Sequence, residues 1–383
     1  MSRKIVEKNI AYDDIKKKYY VNFDYGVNEE GKQVKRTKTF SKISEARKAL
    51  KEHEADKTKG TLTAPSQTTL SEWLNYWIEE VVKPNRAETT VYSYKNIIYN
   101  HIEPELGNIP LQQLKPQQIQ RYYTKLLNEK GLSSNTIRKH HDVLRTALEL
   151  AVKQDVLLKN TMDKVEAPKV KKPDINFYTP DNIKKLMDVI EGDRLEVVVK
   201  LASYLGLRRE EICGLKWDCV DFENNIIVIK NVLTMAGGKK INKEPKNVSS
   251  QRIISIPDEI AAVLKKIKDQ QEIDKEFFKN EYIDSRYVVA WDNGKEYRPN
   301  YISELFTKFV KDHKLPKITL HGLRHTFASI ANSLNLSQYE ISKALGHSST
   351  KTTTELYMHL FDKAQKEAFQ KIADHFKKKE DEV

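Results

Sequence analysis

The chain is poor in cysteine and in long apolar runs. Of its 383 residues only Cys213 and Cys219 are cysteines, and no apolar run approaches the length of a membrane span. Two cysteines without a second pair do not make a zinc site, and their apolar surroundings predict two free thiols rather than a disulfide. The charged N-terminus lacks the apolar core of a signal peptide. We therefore expect a cytoplasmic protein with no membrane partner.

Acidic residues are also in deficit. The chain has 54 Asp and Glu against 66 Lys and Arg, which gives a formal net charge of +12. Such a surplus attracts polyanions, either nucleic acid or an anionic membrane surface. Hydrophobic residues make up 39% of the chain, so it can still bury cores, and its length predicts two or three domains.

Residues 1–66 are predicted to form a small basic domain, a three-stranded sheet plus one helix. Aromatic and β-branched residues at 19–25 and alternating cations at 35–40 indicate strands, and 41–59 indicates a helix. The segment has 16 Lys and Arg against 10 Asp and Glu, a net +6 that is half the surplus of the chain. A β-ribbon can enter the major groove of DNA, although a solvated basic sheet face is the simpler interpretation. The candidate DNA contacts are Lys32, Lys35, Arg36 and Lys38.

Residues 67–167 are predicted to form a bundle of four helices without strands. Apolar residues recur at helical spacing after Thr69, after Thr89, from Pro116 and after Ser133, and a turn containing Pro104 is expected at 101–107. Several cations of the bundle could line an edge that faces phosphates, or could simply be solvated. These are Lys95, Arg138 and Lys139, together with His140 and Arg145.

A basic linker bounded by prolines, residues 168–176, follows the bundle and contains Lys171 and Lys172. It could be extended and follow a nucleic-acid backbone. Residues 177–383 are then expected to form a mixed α+β domain that ends in a tail helix. Its predicted elements are helices from Pro180, at 197–204 and at 302–313, strands at 226–230 and 286–290, and a hairpin with Lys246 near its tip.

Near the C-terminus, residues 320–359 combine an unusual set of polar side chains: His321, Arg324, His347 and Tyr357. A guanidinium binds phosphate through two parallel hydrogen bonds, and an imidazole donates hydrogen bonds or moves protons near neutral pH. A tyrosine oxygen can attack phosphorus and form a covalent intermediate. Gly346 indicates a helix C-terminus, which would place His347 in the following turn. The set fits phosphoryl transfer without a metal, although each residue alone is more often structural.

Partners for this set occur upstream. Arg208 and Glu211 are three residues apart, so the acid can support and orient the guanidinium. Arg209 competes for the same role, and the residues alone do not separate the two. Lys246 could give up a proton or be one more surface lysine. A metal site is the alternative for the pair His321 and His325, four residues apart, but Gly322 stands where a zinc helix has Glu.

The chain resembles the tyrosine recombinases of phages and conjugative transposons over almost its whole length. The motifs are G-L-R-R-E-E-I around Arg208, P-K-N at Lys246, H-G-L-R-H at His321, L-G-H at His347 and Y-M-H at Tyr357. The resemblance implies an arm-type DNA-binding domain at 1–66, a helical core-binding domain at 67–167 and a catalytic domain at 177–383. It also implies that Arg208, rather than Arg209, is catalytic, because the acid of the motif follows three residues later.

The resemblance further implies a mechanism and partners. Tyr357 would attack the scissile phosphate and form a 3′-phosphotyrosyl link, with Arg208, Arg324 and His347 holding the phosphate oxygens. Lys246 would protonate the leaving 5′-oxygen, and His321 would bind the phosphate or help take the tyrosine proton. Neither ATP nor a metal would be needed. The expected partners are double-stranded DNA at core and arm sites, further copies of the chain in a dimer or tetramer, and an excisionase or host DNA-bending protein.

Two other functions compete with this one. A DNA-binding regulator derived from a recombinase would bind without cleaving, but such decay is expected to remove at least one of the six candidate catalytic residues, and all are present. A metal-dependent nuclease would need a carboxylate cluster, and none stands near these residues in the sequence. DNA target sequences are set by groove contacts and DNA shape and cannot be predicted from the chain.

Overall fold

The computed structural model describes residues 3–27, 32–58, 66–170, 176–243 and 251–346. The chain divides into two compact units, Met1–Lys172 and Pro173–Val383. No helix in the described ranges is long and apolar enough to cross a bilayer. Both cysteines are buried free thiols, as expected.

The N-terminal part of the first unit is an antiparallel sheet that packs against one helix. Its described strands, in sheet order, are β1 (Lys4–Glu7), β2 (Ile10–Asp13), β3 (Lys18–Val27) and β4 (Gln33–Phe40), and the helix is α1 (Ile43–Thr58). The sheet has four strands where three were predicted, because the short and largely exposed β1 adds to β2. Val21 and Phe23 on β3 alternate inward and meet Ala46 of α1, which forms the small core.

The rest of the first unit is the predicted helical bundle. Its helices are α2 (Leu70–Tyr76), α3 (Lys83–Asn85), α4 (Glu88–Ile97), α5 (Glu103–Leu106), α6 (Pro116–Asn128) and α7 (Ser134–Lys153), with π-helical turns at Trp77–Val82 and Ile98–Ile102 and 3₁₀ turns at Leu111–Gln113 and Thr161–Lys164. Trp73, Trp77 and Leu144 lie in its core. The Thr69 hydroxyl caps α2 as the sequence predicted.

The predicted turn around Pro104 is wrong, because the chain stays helical there. In the π turn before it, the Glu103 N–H donates to the Ile98 carbonyl, five residues back. Proline lacks an N–H and its ring clashes with the carbonyl four residues back in an ordinary α-helix, so a wider turn accommodates it. Pro84 follows a second π turn in the same way. Buried Ile102 and Leu106 hold the segment against the core.

The second unit combines helices with small sheets. Its elements are α8 (Pro180–Ile190), α9 (Glu196–Tyr204), α10 (Arg209–Gly214), β5 (Val220–Asp221), β6 (Ile226–Ile229), β7 (Val232–Ala236), β8 (Lys239–Lys243), β9 (Arg252–Ser255), α11 (Asp258–Phe278), α12 (Pro299–Asp312), α13 (Leu320–Ser333) and α14 (Gln338–Leu345), with 3₁₀ turns at Trp217–Cys219 and Lys279–Glu281. Its core joins α9, α12 and α13 through Val198, Phe306 and Leu323, among other residues.

The strands of this unit form two antiparallel sheets, β5-β6-β9 and β7-β8. The β7-β8 hairpin is inserted between the paired strands β6 and β9. Lys246 falls in the connection from β8 to β9, outside the described residues, so its predicted place near a hairpin tip stays a prediction.

The predicted strand at 286–290 is wrong. The segment makes only isolated bridges, Lys216 with Tyr287 and Ala290 with Glu296. The carbonyls of Tyr287 and Val288 instead accept hydrogen bonds from the Gln271 side-chain amide of α11, at 3.3 and 3.1 Å. A side chain thereby binds two carbonyls that a neighbouring strand would otherwise use.

Candidate active site

The end of α14 is the centre of the site. Gly346 ends this helix in the left-handed conformation, with φ 62° and ψ 44°, as the sequence predicted. The last carbonyls of a helix have no partner within it and carry its negative partial charge. Three consecutive carbonyls, of Ala344, Leu345 and Gly346, each accept a hydrogen bond from a different arginine.

Arg208 is the first of these arginines and immediately precedes α10. Its Nη2 donates to the Gly346 carbonyl at 3.1 Å, and its Nη1 donates to Glu211 Oε1 at 2.7 Å. The backbone N–H of Arg208 also donates to Glu211 Oε2 at 2.8 Å. The acid three residues on therefore holds both the guanidinium and the start of the helix, and 31% of the Arg208 side chain stays exposed.

Arg209 points elsewhere. Its guanidinium donates to Glu210 Oε1 at 2.6 Å and to the Ser303 hydroxyl of α12 at 3.0 Å. The sequence left open whether Arg208 or Arg209 belongs to the site. Arg208 binds the end of α14, as Arg324 does, whereas Arg209 binds Ser303 of α12.

Arg324, on the first turn and a half of α13, is the second arginine of the cluster. Its side chain is only 2% exposed. Nη1 donates to the Gly206 carbonyl at 2.5 Å and Nη2 to the Leu345 carbonyl at 2.7 Å. Gly206 has φ +61°, and a Cβ there would lie 2.8 Å from side-chain atoms of Leu345 and Phe327. A residue without a side chain lets the turn after α9 approach both helices.

Arg252 completes the cluster and was missed from the sequence. Its Nε donates to the Ala344 carbonyl at 3.1 Å, and its Nη1 and Nη2 donate to Glu211 Oε1 and Oε2, each at 3.1 Å. No local pattern in the sequence shows this role, because it depends on strand register: Arg252 lies opposite Ile229, and Ile254 lies opposite Ile227. Both partners are buried, so strand alternation turns Arg252 inward, where a charge needs a counter-charge.

Glu211 is the shared acceptor of this cluster and is 1% exposed. Burial favours its neutral form, but the hydrogen bonds and charge of Arg252 and the charge of Arg208 outweigh burial, and the pKa of the carboxyl lies below its usual value. Glu211 is therefore a buried carboxylate that two guanidinium groups neutralise.

His321 lies one turn before Arg324 on α13 and is exposed, next to His325. The two imidazole rings meet edge to face with centroids 4.6 Å apart. Partial desolvation, and then the positive charge of Arg324, lower the pKa of His321. Desolvation likewise lowers the pKa of His325 to about 4. Both rings are thus biased toward the neutral form, which can accept a proton. The described part of the chain contains no group of three His, Cys, Asp or Glu side chains placed to hold a metal.

The structure brings together four predicted residues in one unit: Arg208, Glu211, His321 and Arg324. Lys246, His347 and Tyr357 lie outside the described residues, and so do Lys171 and Lys172 of the linker. His347 follows Gly346 directly in the chain, and the Gly346 carbonyl is bound by Arg208.

The predicted DNA contacts of the first unit are spread over several surfaces. Lys32, Lys35, Arg36, Lys38 and Lys139 are exposed. Arg36 and Lys38 pair with Phe23 and Val21, which face α1, whereas Lys35 pairs with Asp24 on the other face. The four cations near β4 therefore do not form one surface.

In the bundle, two of the predicted contacts are held in ion pairs. Lys95 binds Glu79 at 2.5 Å and Arg138 binds Asp142 at 3.1 Å. Arg145, also proposed for this edge, binds Asp163 at 2.8 Å. His140 is not on an edge at all: it is buried, with Nδ1 2.7 Å from the Tyr122 hydroxyl.

Comparison with known proteins identifies the family. A model described as the phage integrase family matches residues 176–364, and one described as the phage integrase N-terminal SAM-like domain matches residues 69–127. Together they match well over half of the chain. The chain belongs to the phage integrase family. It is a tyrosine recombinase, the class of enzyme that the motifs indicated.

Relatives of this integrase are similar over most of their length. A XerC-like tyrosine recombinase of Caldanaerobacter subterraneus is 28% identical, over 94% of this chain and 97% of its own. The ICEBs1 integrase of Bacillus subtilis is 27% identical, over 76% and 78%. The two proteins bear the names recombinase and integrase, which agrees with the family assignment.

Solved structures confirm the predicted fold class, a multidomain, mainly α chain with small β elements. The integrase of the Tn1549 transposon, in complex with transposon right end DNA, has a TM-score of 0.68 at 22% identity and covers 79% of this chain and 99% of its own. A lambda integrase dimer bound to a COC′ core site has a TM-score of 0.58 at 17% identity, over 93% and 96%.

Proposed function

We propose that this integrase integrates and excises a mobile element by site-specific recombination, through a 3′-phosphotyrosyl intermediate at Tyr357 and without ATP or metal. The observation that carries the proposal is the convergence of Arg208 and Arg324 on adjacent carbonyls at the end of α14. Two residues 116 positions apart in the chain meet at the end of one helix, which supports a shared role for them in binding phosphate.

The proposed reaction balances without an external energy source. The Tyr357 oxygen attacks phosphorus, its proton passes to His321 or to solvent, and the bond from phosphorus to the 5′-oxygen breaks. Lys246 protonates that oxygen. The new phosphotyrosyl ester keeps the energy of the broken bond, so a 5′-hydroxyl can later attack it and rejoin the DNA. The lowered pKa of His321 suits a proton acceptor.

The catalytic load is proposed to be shared. Arg208, Arg324 and His347 would stabilise charge on the non-bridging oxygens, and removing one such donor costs about 3 kcal/mol, or roughly a hundredfold or more in rate. General acid and base catalysis by Lys246 and His321 would add on the order of a hundred- to ten-thousand-fold. No single group must supply the whole reduction of the barrier.

We further propose that the domains divide the work on DNA. Residues 1–66 would bind arm sites, 67–167 would bind the core site, 168–176 would link them and 177–383 would cleave. Lambda integrase is recorded as a dimer on a core site and as a tetramer on a Holliday junction, which supports assembly of this integrase on DNA as a dimer or tetramer. Action in the bacterial cytoplasm, and help from an excisionase or host bending protein, are part of the proposal.

A suicide-substrate assay tests the function. Purified protein is incubated in EDTA with a DNA site nicked so that the short 5′-hydroxyl strand diffuses away, and the products are separated on a denaturing gel. We expect a covalent protein–DNA band from the wild type and none from Tyr357→Phe, with equal DNA binding by both. Cleavage that needs added metal and leaves no covalent band would indicate a nuclease. DNA binding without cleavage or a band, on assembled complexes as well, would favour the regulator.

A further inference from the structure

Arg252, at the start of β9, contacts two helices of the proposed active site, α10 and α14. Its two terminal nitrogens bind the two carboxylate oxygens of Glu211, and its Nε binds the Ala344 carbonyl. One guanidinium thus joins β9, α10 and α14. Its side chain is 9% exposed, and each of its three nitrogens already donates to a protein oxygen.

Each of these contacts lies close in the chain to a proposed catalytic residue. Glu211 orients Arg208 through two hydrogen bonds. Ala344 lies three residues before His347, and Arg252 itself lies six residues after Lys246. The segments α10, β9 and α14 are distant in sequence. Arg252 belongs to β9 and contacts the other two.

The contacts depend on the shape of the guanidinium. Its planar fork presents parallel N–H groups to both oxygens of a carboxylate while Nε points to a third acceptor. An ammonium is a point charge on a flexible stem and would keep the attraction to Glu211 without holding the same geometry. The carbonyls at the end of α14 are also favourable places for positive charge.

We propose that Arg252 is a positioning residue for strand cleavage, which holds Arg208, through Glu211, and the end of α14 in one fixed arrangement. It does not touch the reacting atoms. This inference rests on the proposed function, because it assigns Arg252 to the same cleavage step.

The proposal is tested by single-turnover cleavage of the suicide substrate at saturating DNA. Displacing a catalytic group by about 1 Å can cost on the order of a hundredfold in rate, so Arg252→Ala should slow cleavage by about that factor while DNA affinity stays unchanged. Arg252→Lys should recover part of the rate, since it keeps the charge but not the fork. Because Arg252 acts through Arg208, the double variant Arg208→Ala/Arg252→Ala is informative. Its loss of cleavage rate should be much smaller than the product of the losses of the two single variants.

Lys200→Ala is the matched control. Lys200 lies on α9 in the same unit and binds Glu196 at 2.8 Å, with both side chains similarly shielded. It should lower thermal stability as Arg252→Ala does and leave the cleavage rate unchanged. Wild-type cleavage by Arg252→Ala and Arg252→Lys would overturn the proposal, and so would effects that multiply fully with Arg208→Ala.

Amide hydrogen exchange provides a readout that does not depend on cleavage. Loss of the Arg252 contact should speed exchange in the last turn of α14, including the Gly346 N–H that donates to Lys343, and leave α8 unchanged. If the wild type forms no covalent band, the proposed function fails, but faster exchange confined to α14 and α10 would still support the role of Arg252 in holding them. Unchanged exchange would overturn it.

Discussion

Replacing Glu211 by glutamine should damage this integrase far more than so small a change suggests. The carboxylate is 1% exposed and accepts hydrogen bonds from the Arg208 backbone and from both Arg208 and Arg252 guanidinium groups. In Glu211→Gln an NH2 group, which can only donate, replaces one of the two oxygens and faces other donors. The negative charge that neutralises two arginines is lost as well.

The cost follows from this burial. Breaking a buried ion pair by removing one partner costs about 3–5 kcal/mol. Because Arg208 remains 31% exposed and can be solvated, we expect the lower end, about 3 kcal/mol. For a unit of this size such a loss lowers the melting temperature by roughly 6–12 °C. Cleavage should also slow, since Arg208 loses the group that orients it.

Glu210→Gln is a matched control in the neighbouring residue. Glu210 pairs with Arg209 at 2.6 Å, but both side chains are about one-third exposed, and such surface pairs contribute only about 0–1 kcal/mol. Calorimetry and single-turnover cleavage of both variants decide the matter. If Glu211→Gln melted and cleaved like Glu210→Gln, the buried carboxylate would not be what organises the arginine cluster.

Three other outcomes are expected. Gly206→Ala should cost at least about 2 kcal/mol in unfolding free energy, since it adds left-handed strain and places Cβ 2.8 Å from Leu345. Gly192→Ala has the same backbone strain, but its Cβ would meet no atom within 4 Å, so it should cost clearly less. Equal losses would refute the packing argument. Burial lowers the pKa of His140 to about 4. As pH falls below about 6.5 the unfolded chain binds a proton before the folded chain does, so the bundle should be about 2 kcal/mol less stable at pH 5 than at pH 7. Calorimetry should find that the stability of His140→Gln depends less on pH. Deleting residues 1–66 should weaken binding to outer DNA sites and reduce its salt dependence by about 0.9 in the log–log slope per lost phosphate contact; an unchanged slope would mean that the basic sheet faces solvent.

Local sequence rules predicted the parts of the site that depend on neighbours in the chain. The spacing of Arg208 and Glu211 predicted their ion pair, and Gly346 predicted the end of α14. The helix start at Thr69 followed from side-chain capping, and the one at Pro180 from a proline in the first turn. In each case the determining contact lies within a few residues.

The wrong predictions concern segments whose structure depends on contacts with residues far away in the chain. Residues 101–107, with Pro104, were expected to form a turn, but a π turn and the bundle core keep the segment around Pro104 helical. The segment at 286–290 has the composition of a strand, but the Gln271 side chain binds the carbonyls of Tyr287 and Val288. Arg252 was overlooked because its partners, Glu211 and Ala344, lie 41 and 92 residues away. Only the register of β9 against β6 turns it inward.

Covalent tyrosine chemistry in this integrase can be tested by locating the residue to which the nucleotide is attached. The wild-type protein is trapped on the suicide substrate in EDTA, digested with nuclease and protease, and the modified peptide is sequenced by mass spectrometry. We expect one phosphotyrosyl group, on Tyr357. Attachment at any other residue, or complete cleavage without attachment, would contradict it.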